Sequence, residues 1–262
     1  ERLNSHIRFL YSKGSMYKTI NGNLLFHGCI PLDENGQLQS VNIAGTDYSG
    51  KALLDKLDEI ANKAYFMQPG EEKDYAADYM WYLWSGARSP LYGKDKMAFF
   101  ERYFLDDKKL HKENYNAYYH FSEQAEVCGW ILEMFGLDPE RGHIINGHVP
   151  VKIKNGEKPV KAGGKLFVID GGISKAYQKA TGIAGYTLIY DSHSLNLAEH
   201  KPFVAGESEH TPEIHLVERL ERRANISDTD KGAELLEQIN DLRELLRAYR
   251  SGEIKESGRR VN

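Results

Sequence analysis

The sequence is poor in cysteine and contains no long apolar run. Its 262 residues include two cysteines, Cys29 and Cys128. These cannot form a framework of disulfide bridges and indicate a reducing compartment, which we expect to be the cytoplasm. No apolar stretch approaches the ~20 residues that a membrane-spanning helix requires. The first residues are polar and do not resemble a signal peptide, so we expect neither secretion nor a membrane partner.

An excess of basic residues is also missing. The formal net charge is -4, whereas nucleic-acid-binding proteins usually carry a basic stripe. We therefore expect no nucleic-acid partner. The HExxH, CxxC, GxSxG and P-loop motifs are absent as well, so no single short motif reveals the chemistry.

Apolar residues make up 41% of the chain and are spaced for both helices and strands. A spacing of three to four residues predicts helices over residues 2–13, 50–67, 71–84, 95–105, 122–135 and 229–249. Asn21-Gly22 between two apolar runs predicts a β-hairpin. Other short strands are predicted at HIING, VPVKI, KLFVID, GYTLIYDS, LNLAEHKP and EIHLVERLE. We therefore predict an α+β fold with a helical insert over residues 50–136 and a C-terminal helix capped by Ser227 or Asp228.

Aromatic residues are abundant in the predicted insert. Met97, Phe100 and Phe104 are predicted to face inward from their helix. Trp81 and Trp84 lie three residues apart on one helix face. They could form a stacking platform for a sugar, but core packing is the favoured interpretation.

Three predicted strands end in a polar residue beside glycine. They end at His27 in NLLFHG, at His148 in HIINGH and at Asp170 in KLFVIDGG. A lone histidine at a strand end is more often a hydrogen-bonded or surface residue than a ligand, and Asp-Gly-Gly is usually a turn. Imidazole is, however, a good ligand for Mn, Fe or Zn. Because the same pattern occurs at both histidines, a shared metal site is as well supported as the ordinary hydrogen-bonded or surface role.

Five long segments of this sequence together resemble one enzyme family. They are NGNLLFHGCIPLDENG, DYMWYLWSGARSPLYG, FERYF, GHIINGHVPVK and GGKLFVIDGGISKAYQKATGIAGYTLIYDS. These segments closely resemble the class III fructose-1,6-bisphosphatases of bacteria, which belong to the calcineurin-like metallophosphoesterases. The resemblance extends to about residue 204 and is weaker beyond it.

The resemblance implies a dinuclear metal site, most often supported by Mn²⁺, at the strand ends of a β sandwich flanked by helices. It implies that His27 and His148 are ligands of the same metal ion. It places Asn146 and Asp170 near the site, without a firm catalytic role for either. The implied reaction is hydrolysis of fructose 1,6-bisphosphate to fructose 6-phosphate and phosphate in gluconeogenesis.

The resemblance implies three first metal motifs: Asp-x-His, Gly-Asp-x-x-Asp-Arg-Gly and Gly-Asn-His-Glu/Asp. We expect none of them in this chain, because the family carries them N-terminal to the part that this chain resembles. We therefore expect a C-terminal part of the enzyme with an incomplete metal site and little activity alone. Residues 1–205 would belong to the metallophosphoesterase domain, and residues 206–262 would form an extension.

The implied substrate is a sugar bisphosphate, whose second phosphate requires basic residues. Each candidate taken singly is more often a solvated surface residue. Arg88 and Lys175 are favoured because each lies in a glycine- or proline-bounded loop. The candidates for substrate binding are Arg88, Lys152, Lys161, Lys175 and Lys179, with Tyr177 over the sugar.

Two other functions stay open from the sequence. The chain could be a non-catalytic folded module whose partner is the N-terminal part of the same protein. Its open sheet edges would also allow a homo-oligomer. Alternatively, the full protein could be a phosphoprotein phosphatase of the same superfamily, although DYMWYLW and GISKAYQKATGIAGYTLIY argue against it.

Overall fold

The computed structural model describes residues 1–172, 174–202 and 211–255, apart from the side chains of residues 175, 176 and 179. The final GRRVN, which the sequence predicts to be frayed, lies outside these residues. Within them, the α-helices are α1 Arg2–Lys13, α2 Gly50–Phe66, α3 Glu71–Ser85, α4 Phe99–Phe104, α5 Tyr118–Phe121, α6 Ala125–Met134, α7 Lys175–Thr181 and α8 Asp230–Ser251. The strands are β1 Tyr17–Ile20, β2 Asn23–Phe26, β3 Val41–Ile43, β4 Thr46–Tyr48, β5 Ile144–Asn146, β6 Val160–Lys161, β7 Leu166–Val168, β8 Gly185–Tyr190, β9 Ser194–His200 and β10 Glu213–Arg219. The predicted α+β class is confirmed.

The largest sheet of the described residues has the strand order β1-β2-β5-β7-β6. Its three central strands, β2, β5 and β7, are parallel, whereas β1 and β6 are antiparallel to their neighbours. The predicted hairpin at Asn21-Gly22 joins β1 to β2. Neighbouring parallel strands need a long crossover connection. The connection between β2 and β5 contains helices α2 to α6. The other sheets are β10-β9-β8 and β3-β4.

Helix α2 and the central strands supply much of the core. Leu53, Leu54 and Leu57 of α2 are buried, as the spacing of the sequence predicts. Leu24 of β2 and Ile144 of β5 are buried in the same apolar cluster. Burial of such side chains is the main favourable term in folding, so this cluster holds the central strands in place.

The predicted burial of two aromatic groups is wrong. Phe100 and Phe104 are 65% and 69% exposed, and their helix is limited to the six residues of α4. Trp81 and Trp84 are 65% and 58% exposed and pack edge to face on each other. Spacing shows which residues share a helix face, but it does not show whether another element covers that face.

Two local predictions also need correction. VPVKI contains no strand, and a short 3₁₀ turn occupies Ile153–Asn155. Pro150 in this stretch lacks the backbone N–H that a strand ladder needs. The cap of α8 is neither Ser227 nor Asp228. Instead, the Thr229 hydroxyl accepts a hydrogen bond from the Gly232 N–H at 3.0 Å.

A buried histidine connects β10 to the largest sheet. His143 directly precedes β5, and its Nδ1 lies 2.9 Å from Asn23 Oδ1 in β2. Its Nε2 lies 2.8 Å from Glu218 Oε2 in β10. The ring also packs edge to face on Phe167. The His143 side chain therefore contacts residues of three strands, β2, β7 and β10.

We expect His143→Ala to lower the free energy of unfolding by about 2–3 kcal/mol, because it leaves buried Asn23 Oδ1 without its partner and creates a void. The measurement is urea unfolding followed by circular dichroism. Glu218→Gln is the matched control: its side chain is 46% exposed and keeps an acceptor oxygen, so we expect a loss of less than ~1 kcal/mol. Equal losses in the two variants would contradict this assignment.

Candidate metal site

Parallel strands bring the predicted site residues to one edge of the largest sheet. His27 directly follows β2, Asn146 ends β5 with His148 two residues on, and Asp170 follows β7. Carboxyl ends of neighbouring parallel strands lie side by side, and ligands commonly bind there. Backbone hydrogen bonding continues past the ends of β2 and β5, where the Gly147 N–H donates to the His27 carbonyl oxygen at 2.9 Å. The sheet itself therefore positions both histidines.

The two histidine rings meet at this edge. His27 Nε2 lies 3.1 Å from His148 Nδ1, and the rings are inclined by 74°. Two nitrogen ligands held ~2.1 Å from one metal ion at neighbouring positions are about 3.0–3.4 Å apart. The observed spacing therefore fits a pair of nitrogens that share one ion.

The backbone of a distant loop orients the second histidine. His148 Nε2 lies 2.8 Å from the carbonyl oxygen of Tyr92. A carbonyl can only accept, so Nε2 carries a hydrogen and the Nδ1 edge of the ring is turned towards His27. His148 also has a φ of +67°, a strained conformation for a residue with a side chain and one that is concentrated at functional sites.

The surroundings of the first histidine favour its neutral form. Burial lowers the pKa of His27, and the neighbouring ring of His148 lowers it further, against an opposing effect of Asp170. A pKa below the ordinary value of about 6.5 leaves the ring neutral at pH 7. Neutral imidazole is the metal-binding form.

Asn146 lies on the same edge and has one unsatisfied oxygen. Its Nδ2 donates to the Tyr118 hydroxyl at 2.8 Å. Its Oδ1 is buried and, within the described part of the chain, accepts no hydrogen bond. A buried polar atom usually has a partner, and an amide oxygen is a suitable group to face a cation or water. Asp170 uses Oδ1 to accept from the Gly172 N–H at 2.8 Å.

The donor set that this chain supplies is incomplete. Among the described residues, no group of three or more His, Cys, Asp or Glu side chains is arranged to hold a metal ion. His27 and His148 fit one ion as nitrogen donors, but two ligands leave most coordination positions unfilled. Cys29 adds no ligand, since it is 1% exposed and burial raises the pKa of its thiol.

The expectation that the Asp-x-His motif is missing is wrong. The triplet Asp191-Ser192-His193 has the form Asp-x-His. It forms the turn between β8 and β9, where Asp191 Oδ1 accepts from the His193 and Ser194 N–H groups at 2.7 and 2.8 Å. This carboxylate therefore stabilises a hairpin turn, and the triplet does not join the His27–His148 pair.

Among the described residues, the contacts of the predicted phosphate-binding residues do not bring them together at one site. The exposed Arg88 donates to the Ser40 carbonyl at 3.3 Å, and Lys161 pairs with Glu123 at 2.7 Å. Lys152 offers its backbone N–H to Glu157 Oε2 at 3.0 Å. Tyr177 is 59% exposed. The side chains of Lys175 and Lys179 lie outside the described residues.

The residues that sequence reasoning missed are Tyr92 and Tyr118. Tyr92 acts through a backbone carbonyl, a group that every residue possesses, so no sequence signal could have identified it. Tyr118 is fully buried and bonded to Asn146, but the sequence contains 16 tyrosines and its spacing does not distinguish this one.

Comparison with known proteins shows the family to which the chain belongs. The family model described as Firmicute fructose-1,6-bisphosphatase matches residues 1–251. A fructose-1,6-bisphosphatase class 3 of Clostridium botulinum (strain Alaska E43 / Type E3) is 54% identical over 98% of this chain and 40% of its own length. The proteins of the same description from Clostridium tetani and Clostridioides difficile are 53% and 51% identical, again over 98% of this chain and 40% of their own length.

The chain therefore belongs to the Firmicute fructose-1,6-bisphosphatase family. It spans about 40% of the length of the curated relatives that it matches. No solved structure matches it. Among the helices of the described residues, none combines the length and the apolar character needed to cross a membrane.

Proposed function

We propose that this chain is the C-terminal part of a cytoplasmic, Mn²⁺-dependent metallophosphoesterase that hydrolyses fructose 1,6-bisphosphate to fructose 6-phosphate and phosphate in gluconeogenesis. The observation that carries the proposal is the His27–His148 pair, whose nitrogens lie 3.1 Å apart at adjoining ends of parallel strands. The names of the relatives supply the substrate.

In this proposal, His27 and His148 hold one divalent ion. A bound ion lowers the pKa of water and stabilises negative charge on phosphoryl oxygens. The Tyr92 carbonyl keeps His148 in the tautomer that ligates through Nδ1. Asn146, held by its bond to Tyr118, would offer its unpartnered Oδ1 as an acceptor or as a ligand for water or cation.

The remaining ligands must come from outside this chain. Two imidazoles hold a divalent ion weakly, and a second ion needs a bridging carboxylate that the described residues do not place here. We therefore expect the 262-residue chain to be inactive by itself. The longer protein that contains it would have the complete site.

The test is phosphate release from fructose 1,6-bisphosphate by this chain and by the longer protein, each with and without added Mn²⁺. We expect Mn²⁺-dependent release from the longer protein and none from the chain. A chain that turns over at the rate of the longer protein would disprove the incomplete-site part of the proposal. A longer protein with no turnover under any divalent metal would disprove the whole of it.

A phosphopeptide as a second substrate separates the proposed enzyme from a phosphoprotein phosphatase. Faster hydrolysis of the phosphopeptide than of fructose 1,6-bisphosphate would overturn the substrate while leaving the metal site in place. Family membership and the names of the relatives favour the sugar bisphosphate.

A further inference from the structure

The loop between α3 and α4 contacts both segments that carry the predicted metal ligands. The Pro90 carbonyl oxygen accepts from the Cys29 N–H at 2.9 Å, two residues after His27. The Tyr92 carbonyl oxygen lies 2.8 Å from His148 Nε2. The backbone of this loop is irregular, so its shape depends on hydrogen bonds other than those of a helix or a sheet.

Ser89 lies near the middle of this loop and is 0% exposed. Its hydroxyl donates to the Leu83 carbonyl oxygen in the last turn of α3 at 2.7 Å. The same hydroxyl oxygen accepts from the Leu91 and Tyr92 N–H groups, each at 3.3 Å. A hydroxyl has one hydrogen and two lone pairs. The Ser89 hydroxyl therefore uses its whole hydrogen-bonding capacity within this loop and the end of α3.

Ser89 binds the backbone on both sides of Tyr92. Its hydroxyl accepts from the Tyr92 N–H, and its carbonyl oxygen accepts from the Gly93 N–H at 2.9 Å. The Gly93 N–H and the Tyr92 carbonyl belong to one planar trans peptide group, in which these two bonds point in opposite directions. Because the N–H points towards Ser89, the carbonyl points away from it, where it meets His148 Nε2.

The turn around Ser89 is bounded by two residues with positive φ. Arg88 has a φ of +65° and Gly93 has a φ of +63°. Glycine adopts this conformation readily, whereas a residue with a side chain is strained in it. Such strain persists only where surrounding contacts determine the backbone. The hydrogen bonds of Ser89 are contacts of this kind, because they join the turn to the end of α3.

We propose that Ser89 is a positioning residue for the metal site. Its hydroxyl and carbonyl oxygens fix the Tyr92–Gly93 peptide group, whose carbonyl turns the Nδ1 edge of His148 towards His27. This role rests on the proposed function, in which His148 binds the metal. A serine that only ended α3 would leave the orientation of His148 unaffected, so the two roles are separable by experiment.

The first experiment measures the tautomer of His148 in this chain without metal, by ¹⁵N NMR of the histidine side chains. The spectra are recorded at about pH 8.5, above the ordinary pKa of imidazole. The signals of His148 are those that disappear in His148→Gln. In the parent chain we expect the hydrogen on Nε2. In Ser89→Ala we expect a mixture of both tautomers, because the Tyr92 carbonyl is no longer held against the ring.

The second experiment measures Mn²⁺ affinity and turnover of fructose 1,6-bisphosphate in the longer protein. Removing a group that orients a metal-ligating histidine typically weakens metal binding by about 10- to 100-fold. We expect Ser89→Ala to raise the Kd for Mn²⁺ about tenfold and to lower kcat less than about twofold at saturating Mn²⁺. The effects differ because the ligands are intact and only the orientation of His148 is lost.

Thr229→Ala is the matched control. The Thr229 hydroxyl also donates to a backbone carbonyl, that of Ile226 at 2.7 Å, and accepts from a backbone N–H, that of Gly232 at 3.0 Å. Its removal should lower the urea midpoint of unfolding, since it caps α8. The His148 tautomer and the Mn²⁺ affinity should keep their parental values. If this variant changed both, the two measurements would follow stability alone, and the proposal would be overturned.

A folded Ser89→Ala chain with the parental tautomer would also overturn the proposal, as would parental Mn²⁺ affinity in the longer protein. If the alanine variant does not fold, Ser89→Cys takes its place, because sulfur fills the space but is a weak donor and acceptor. Parental values in Ser89→Cys would then refute the role. A parent longer protein that binds no Mn²⁺ would instead disprove the proposed function, and the tautomer in this chain would still decide whether Ser89 orients His148.

Discussion

We expect His148→Ala in the longer protein to lose metal-dependent hydrolysis of fructose 1,6-bisphosphate by at least about 1000-fold, since a bound metal contributes several kcal/mol to the transition state. His148 Nδ1 lies 3.1 Å from His27 Nε2 and is aimed there by the Tyr92 carbonyl. Removing the ring therefore removes one of the two nitrogen donors that this chain supplies. The measurement is kcat with saturating Mn²⁺, together with bound metal per chain.

His27→Ala should have the same effect, and the double variant should be little worse than either single one. Groups that serve one ion act as a unit, so their losses do not add. His6→Ala is the matched control, because His6 is exposed on α1, away from the sheet edge. Unchanged metal content and rate in His148→Ala would contradict the assignment of this residue as a ligand.

We expect Gly28→Ala to lower the free energy of unfolding by about 3 kcal/mol and the activity of the longer protein by about 100-fold. A Cβ on Gly28 would lie 2.2 Å from the carbonyl oxygen of Pro90 and 3.2 Å from that of Leu91. The Pro90 oxygen also accepts the Cys29 N–H at 2.9 Å. In the variant, the backbone at the end of β2 must therefore move away from the Pro90–Leu91 segment.

The same displacement should reach the site, because Tyr92 follows within two residues of Pro90 and orients His148. Unfolding by urea and the rate of phosphate release are the two measurements. Gly129→Ala is the matched control. It lies inside α6 with ordinary contacts to Pro139, so it should stabilise by about 0.5–1 kcal/mol. A Gly28→Ala protein with parental stability would show that the loop can move without cost.

The sequence by itself determined the elements that depend on near neighbours. The Asn21-Gly22 turn and the buried face formed by Leu53, Leu54 and Leu57 are confirmed. Turn geometry and helix periodicity arise from residues within a few positions of one another, so they can be read directly. Family membership was also readable, because it rests on long segments rather than on a short motif.

The exposure of helix faces depended on the tertiary structure. Trp81, Trp84, Phe100 and Phe104 share the spacing of core residues, but all are exposed. Whether an apolar face is buried depends on what packs opposite it, and that neighbour is distant in sequence. Helix α8 shows the same limit: the spacing of its apolar side chains is visible in the sequence, and their exposure is not.

The geometry of the candidate site was decided by the tertiary structure as well. Patterns around glycine singled out His27 and His148, which are 121 residues apart. Only parallel pairing of β2 with β5 sets their nitrogens side by side. The orienting group is the backbone carbonyl of Tyr92, 56 residues from His148. Since every residue carries such a carbonyl, only the folded loop determines which one meets the ring.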